Sequence, residues 1–147
     1  MSKFTHGFVF AAHGIQQAVR EERNFRFHLV FSAYVLGFAT QFALSRAEWI
    51  LLCLSIGAVL CAELINSAIE RTVGRISTEQ HPLSASAKDL AAAAVLVLAI
   101  ATAIVGVTVF WRPDEWWALI VQWYHDVWQP CVLFVSFVPA WMFVFRR

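Results

Sequence analysis

Hydrophobic and polar positions divide this chain into one amphipathic segment and several long apolar runs. In residues 4–19, apolar side chains recur every three or four positions, and basic and amide side chains fall mostly between them. That period is typical of an amphipathic helix, and a basic polar face suits a helix that lies in a membrane interface. The pattern therefore predicts a surface helix over residues 1–23.

The apolar runs that follow are long enough to cross a bilayer. A transmembrane helix needs about 20 mostly apolar residues, and we expect spans over about 27–45, 49–74 and 88–111. Between the second and third spans, residues 75–87 contain Pro82 and three serines. These residues predict a polar loop there, because they argue against a continued helix.

Residues 112–147 form an extension that is rich in tryptophan. Its first half is dense in large aromatic side chains, namely Trp116, Trp117, Trp123, Tyr124 and Trp128. Such a cluster is typical of the aromatic belt at a membrane interface. The apolar run 130–145 follows. One tilted, proline-kinked fourth span from about residue 117 fits this pattern, and so does a surface helix followed by a shorter span.

Composition supports an all-α membrane protein with a surface helix, three core spans and this C-terminal segment. The chain is 60% hydrophobic and 14% charged, with a mean hydropathy of +0.64, which is too apolar for a soluble domain. Its net charge of +1 says nothing about a nucleic-acid partner, but no basic run is present, and we expect no such partner. The three cysteines stand in apolar runs without metal-site spacing, so we interpret them as buried apolar residues.

The distribution of lysine and arginine predicts the orientation. With four spans, both termini and the 71–89 loop lie on one side and carry most of the basic residues, while the other side receives only Arg46 and Arg112. Positive charge accumulates on the cytoplasmic side of membrane proteins. We therefore expect both termini, the loop and the candidate reactive residues to face the cytoplasm.

The second predicted span carries polar residues on one face near its end. Glu63, Asn66 and Glu70 are separated by three and four positions, which places them on one face of a helix. Carboxylates at membrane depth are costly unless they are paired or hydrated, so they indicate a functional site. A solvated helix end just outside the lipid is the alternative interpretation.

Other charged residues near the same side suggest a chemistry. Glu22 and Glu70 could bind Mg²⁺, which takes one or two carboxylates together with phosphate oxygens, and Lys88 could hold a phosphate. Glu63 could accept the proton of a lipid hydroxyl. These are parts for phosphoryl transfer from a nucleotide to a membrane alcohol. No Walker or glycine-rich kinase loop is present, a transporter could use the same buried carboxylates, and Glu22 could simply belong to a charged surface turn.

Three motifs resemble one known family. ELINSAIE at 63–70, HPL at 81–83 and AKD at 87–89 look like the small bacterial integral-membrane diacylglycerol kinases and undecaprenol kinases. The resemblance runs from about Phe4 to Phe110. It implies a surface helix, three spans, a homotrimer with active sites at protomer interfaces, MgATP as the phosphoryl donor and a membrane lipid alcohol as acceptor.

The resemblance also implies roles for individual residues. Glu63 resembles the catalytic base, and Glu22 and Glu70 resemble the metal-binding carboxylates. The positions that resemble nucleotide-binding residues are Phe10, Glu22, Glu70, Glu79, Gln80, His81, Lys88 and Asp89. The positions that resemble substrate-binding or structural residues are Lys3, Gly14, Asn66 and Ala92.

Two departures from the family pattern matter. Gly74 stands where the family usually has an aspartate, which puts ATP affinity in question, and a weakened or inactive homologue is the alternative to an active kinase. The extension after Phe110 is the second departure, because the usual pattern has three spans. For the acceptor, residues 21–24, His28 and residues 91–93 look more like the undecaprenol branch, with diacylglycerol as the next choice.

Overall fold

The structure, a computed structural model, describes residues 3–76 and 82–146. All regular structure in these residues is helical, which confirms the all-α prediction. The six helices are α1 (Lys3–Glu21), α2 (Arg23–Ala39), α3 (Arg46–Ile76), α4 (Pro82–Phe110), α5 (Pro113–His125) and α6 (Trp128–Phe145).

The centre of the molecule is the pair of long helices α3 and α4. At about 1.5 Å per residue, each exceeds the roughly 30 Å of a bilayer's hydrocarbon core. Together with α6, they are the described helices that are long and apolar enough to cross a membrane. The protein is therefore an integral membrane protein. With 17 residues, α2 is slightly shorter and packs between α3 and α6.

The predicted boundary of the first span is wrong at its end. We expected it to continue to residue 45, but α2 ends at Ala39 and is capped by Thr40, whose hydroxyl donates to the Gly37 carbonyl at 2.7 Å. A threonine hydroxyl that bonds a nearby backbone carbonyl competes with continued helix. The chain then turns through residues 40–45 before α3 begins.

The prediction that residues up to 87 form a loop is also wrong. α4 begins at Pro82, so Ser84 and Ser86 are helical. A proline at the first position of a helix loses nothing, because the first amides of a helix have no acceptor within it. Pro82 therefore starts this helix, whereas we had taken it as evidence against one.

The C-terminal extension adopts the second of the two expected arrangements. A short helix, α5, precedes a separate span, α6, which runs antiparallel to α2. The hydroxyl groups of Tyr34 and Ser136 lie 2.8 Å apart, and the ring of Tyr34 stacks on Phe137 with centroids 4.8 Å apart. α6 is thus a span-length helix packed against α2.

Little of the apolar surface is buried inside one chain. Ala39, Leu52 and Ile56 form a small core between α2 and α3, but α4 and α6 are mostly exposed. Our prediction of buried cysteines is wrong, because Cys53, Cys61 and Cys131 are all exposed. An apolar run does not imply burial in a membrane helix, since lipid accepts the same side chains as a protein core.

The helices arrange their polar groups at two ends. At the α1 end, α1 meets α2 at a single extended residue, Glu22, beside the C-terminal part of α3. At the α5 end lie the 40–45 turn, the start of α3 and Arg112, which precedes α5. The candidate site residues that the structure describes lie toward the α1 end.

Candidate active site

A row of buried polar side chains lies on α3 toward the α1 end. Glu63, Asn66 and Ser67 are only 4%, 7% and 8% exposed. The Asn66 amide donates to the Glu70 carboxylate at 2.8 Å, one turn further on. The helix thus brings Glu63, Asn66 and Glu70 to one face, as their spacing predicts.

The other side of the Asn66 amide is unused. Its Oδ1 atom is buried and has no hydrogen-bond partner within 3–76 and 82–146. A buried acceptor without a partner costs about 1–3 kcal/mol. A ligand with a hydroxyl group would supply the missing donor, so this oxygen is an open position in the site.

Glu63 has a partner on α2. His28 Nε2 lies 3.2 Å from Glu63 Oε1, and the side chains are 21% and 6% exposed, respectively. His28 faces the carboxylate because α2 and α3 pack against each other. The contact holds one carboxylate oxygen in a defined position.

Glu22 and Arg71 connect the α1–α2 junction to α3. Arg71 Nη2 lies 2.6 Å from Glu22 Oε1 and 3.0 Å from Glu21 Oε2. The Arg71 guanidinium donates to Glu22 Oε1 through both Nε and Nη2, at 3.3 and 2.6 Å. The two neighbouring glutamates therefore share one arginine.

The predicted metal carboxylates lie near the same centre. Arg71 binds Glu22 and Asn66 binds Glu70, and these two partners lie five residues apart on α3. Among the described residues, no group of three His, Cys, Asp or Glu side chains is arranged to hold a metal. Two carboxylates nevertheless fit Mg²⁺, because this ion keeps several waters and binds substrate phosphates instead of a closed protein cage.

The residues predicted for nucleotide binding are spread around this end. Lys88 and Asp89 lie in the second turn of α4, and Ala92 follows; all three are exposed. Phe10 is exposed on α1. Glu79, Gln80 and His81, together with the Lys3 side chain, lie outside the described part of the chain.

A cleft between α1 and α3 reaches Arg71, the partner of Glu22. It has a volume of about 430 Å³ and is lined in part by Gly14, Gln17, Ser67 and Arg71. Small-molecule sites usually occupy about 300–1,000 Å³. A side chain at Gly14 would meet no atom within 4 Å, so the glycine leaves this wall of the cleft open.

An apolar groove leads to His28 and Glu63 along α2, α3 and α4. It has a volume of about 480 Å³. Its lining is hydrocarbon and aromatic over most of its length, with Phe27 and Phe31 on one wall and Gly106 and Phe110 toward the α5 end. His28 is the ionisable side chain in the lining, so the groove joins an apolar region to a buried carboxylate.

The sequence of this chain matches a known family. The model of the family described as prokaryotic diacylglycerol kinase matches residues 9–110. The chain belongs to this family. It is a lipid kinase, which confirms the function that the motifs implied.

Individual relatives carry two different lipid names. The undecaprenol kinase of Bacillus subtilis is 43% identical over 112 residues, which cover 75% of this chain and 89% of that protein. The diacylglycerol kinase of Pseudomonas aeruginosa is 39% identical over 98 residues, covering 67% and 76% of the two chains. The diacylglycerol kinase of Escherichia coli is 35% identical over 98 residues, covering 67% and 80%.

Sequence reasoning missed two residues of this lipid kinase site. We used His28 only to compare lipid branches, yet it contacts Glu63. We counted Arg71 only for orientation, yet it binds Glu22. A lone histidine at the start of an apolar run is the signal that marks His28, whereas the Arg71 contact depends on how α1 meets α3.

Proposed function

We propose that this lipid kinase transfers the γ-phosphoryl group of MgATP to the hydroxyl group of a polyprenol, with undecaprenol as the favoured acceptor and diacylglycerol as the next. The observation that carries the proposal is the buried Glu63 carboxylate, held by His28 at the end of an apolar groove. A lipid alcohol has two parts that match this site: a hydrocarbon tail that fits an apolar groove, and a hydroxyl group that can give its proton to a carboxylate.

Glu63 acts as the base in this proposal. The tail lies in the groove, which brings the hydroxyl group to the row of polar side chains on α3. Asn66, one turn further along α3, holds the Glu70 carboxylate through its amide. Glu63 takes the hydroxyl proton as the oxygen attacks the γ-phosphorus, and the bond from that phosphorus to the bridging oxygen of ADP breaks.

Glu22 and Glu70 are the residues that would hold Mg²⁺, which neutralises phosphate charge when it is bound. The nucleotide would lie along the cleft between α1 and α3, whose wall includes the cationic Arg71. Lys88 and Asp89, with residues 79–81, supply the other predicted contacts. Because the proposed site has two protein carboxylates, we expect Mg²⁺ to bind together with the phosphates of the nucleotide.

The proposal includes a homotrimer in the bacterial inner membrane, with the α1 end in the cytoplasm. The clustering of basic residues at both termini and in the 71–89 loop supports that orientation. The family resemblance supports the trimer, and the large exposed apolar surfaces of α4 and α6 are compatible with neighbouring protomers or lipid.

The test is a transfer assay on purified protein with ATP labelled at the γ-phosphate. Undecaprenol and diacylglycerol are offered separately and then together, and the labelled lipids are separated. We expect label in both, with the larger kcat/KM for undecaprenol. Preference for diacylglycerol would reverse the proposed acceptor, and no transfer to either lipid by folded protein would favour a homologue that has lost activity.

A further inference from the structure

Arg26 is a buried charge that the proposed reaction does not use. It is only 4% exposed, and its guanidinium remains charged in proteins. Burying such a group is costly unless hydrogen bonds satisfy it. Its partners therefore show which part of the structure the residue stabilises.

Those partners are backbone carbonyls from two separate helices. Nη1 donates to the carbonyls of Val19 and Arg20, at 3.3 and 3.0 Å. Nε and Nη2 donate to the carbonyls of Val144 and Arg146, at 3.1 and 3.0 Å. One side chain thus joins the end of α1 to the end of α6.

Helix geometry explains why these carbonyls need a donor. The last four carbonyls of a helix have no amide partner within it, and α1 and α6 end at Glu21 and Phe145. The C-terminal end of a helix also carries partial negative charge, which favours a nearby cation. Arg26 caps both ends at once, and Arg146 adds a bond to the Val19 carbonyl at 3.2 Å.

Glu22 lies inside this arrangement. Its amide donates to the Ala18 carbonyl at 2.9 Å, and its own carbonyl accepts the backbone amide of Arg26 at 3.2 Å. Ala18 and Phe25, on either side of the junction, are both only 4% exposed. The backbone position of Glu22 is therefore coupled to the groups that Arg26 holds.

We propose that Arg26 and the end of α6 form a clamp that positions Glu22 for MgATP. In this role Arg26 is a positioning residue, because it acts through the α1–α2 junction. The inference rests on the proposed function of Glu22. Since the family match ends at residue 110, the clamp gives the additional helix α6 a role in the kinase site.

The first measurement separates KM from kcat. We expect Arg26→Met, which removes every donor, to raise the KM for MgATP about tenfold (~1.4 kcal/mol) while kcat falls much less. Arg26→Lys keeps one donor group and should recover part of the affinity. Arg20→Gln removes a nearby exposed charge whose side chain lies outside the clamp, and it should leave both constants unchanged. A KM within twofold of the parent in Arg26→Met would overturn the proposal.

The second measurement does not depend on catalysis. In a background with Cys53, Cys61 and Cys131 replaced by alanine, Ala18→Cys places a thiol under the junction. A water-soluble maleimide should label it slowly in the parent and several-fold faster with Arg26→Met. Faster labelling with an unchanged KM would overturn the positioning role, and unchanged labelling would overturn the clamp itself.

Three further outcomes bear on the clamp and on the proposed function. If Arg26→Met does not give folded protein, Arg26→Lys decides, and parent-like KM and labelling there would overturn the proposal. If the parent transfers no phosphoryl group, the proposed function fails. The labelling experiment then still tests the clamp, because it does not depend on catalysis. If Glu63→Gln is inactive while Arg26→Met behaves like the parent, only the clamp fails.

Discussion

Both ends of the helical bundle contain arginine and glutamate side chains, but the two ends differ in how completely their polar groups are hydrogen-bonded. At the α5 end, Arg112 bonds Glu48, Glu115 and the backbone carbonyls of Val109 and Ala43. Glu48 also accepts the amide and hydroxyl of Ser45, and Glu115 accepts the amide of Ala43 at 2.9 Å. This cluster satisfies itself within one chain.

The α1 end is less complete. Asn66 Oδ1 has no partner in the described residues, Glu63 contacts His28, and an open cleft and an apolar groove meet nearby. A cluster whose groups are all paired stabilises a turn, whereas unpaired buried groups leave positions for a ligand. Trp123 Nε1 on α5 is also buried without a partner in the described residues, so the cleft and the groove, and not an unpaired atom alone, mark the α1 end as the candidate site.

The largest expected effect tests this difference with one substitution at each end. Glu63→Gln preserves shape and removes the base, so phosphoryl transfer should fall about 10²–10⁴-fold. Glu115→Gln, the matched change at the α5 end, should leave transfer within about twofold, as expected for a surface ion pair. Labelled-lipid assays on equal amounts of folded protein measure both. Activity of Glu63→Gln within tenfold of the parent would remove Glu63 from this role.

The next effect concerns the proposed metal carboxylates. Glu70→Ala removes a proposed ligand of the Mg²⁺ that accompanies the phosphates, so we expect the KM for MgATP to rise about tenfold or more, as when a charged partner is lost. Lipid partitioning should be unchanged. Glu21→Ala is the control, because Glu21 is exposed and shares Arg71 with Glu22. Kinetics over a range of Mg²⁺ concentrations distinguish the variants, and an unchanged Mg²⁺ dependence in Glu70→Ala would favour a charged surface turn.

A smaller effect is expected at Gly74. An added side chain there would meet no atom within 4 Å, and an aspartate would lie one turn beyond Glu70. Gly74→Asp should therefore lower the KM for MgATP about threefold. An effect of this size lies within the range of interaction energies measured between neighbouring residues.

Glu79→Ala tests whether Glu79 compensates for this glycine. It should harm the native protein more than the Gly74→Asp variant, since the two carboxylates would share a role. Strict additivity in a double-mutant cycle of KM values would contradict compensation.

The smallest effect is structural and lies at the α5 end. The hydrogen bond from Arg112, and then the one from the Ala43 amide, lower the pKa of Glu115 below its ordinary value of 4.5. A carboxyl with a lowered pKa adds stability above its unfolded pKa and loses it as the pH falls through the folded pKa. Glu115→Gln should therefore lower the melting temperature in detergent slightly at pH 7 and less below pH 4. An equal shift at both pH values would contradict an ionic contribution.

Much of this architecture follows from the sequence because lipid permits few backbone solutions. Long apolar runs must form helices, since every backbone group needs a partner within the segment. The spacing of Glu63, Asn66 and Glu70 therefore predicted their common face. Helix ends were less predictable, because local groups decide them: Thr40 ends α2, and Pro82 begins α4.

The contacts between helices were the least predictable part. His28 meets Glu63 across 35 positions, and Arg26 meets Val144 across 118. Neither pair has a local spacing rule, because lipid-exposed and protein-packed faces of a membrane helix have similar composition. The exposed cysteines have the same explanation.

Glu22 is a single-residue break between α1 and α2, so α1 could pivot about a point at the candidate site. α1 has 19 residues and is about 28 Å long. Tilting it by about 10° about the break would displace its far end by roughly 5 Å and leave Glu22 almost stationary. We therefore expect a change in the bilayer surface to tilt α1 while the contact with Arg71 keeps the Glu22 carboxylate in place.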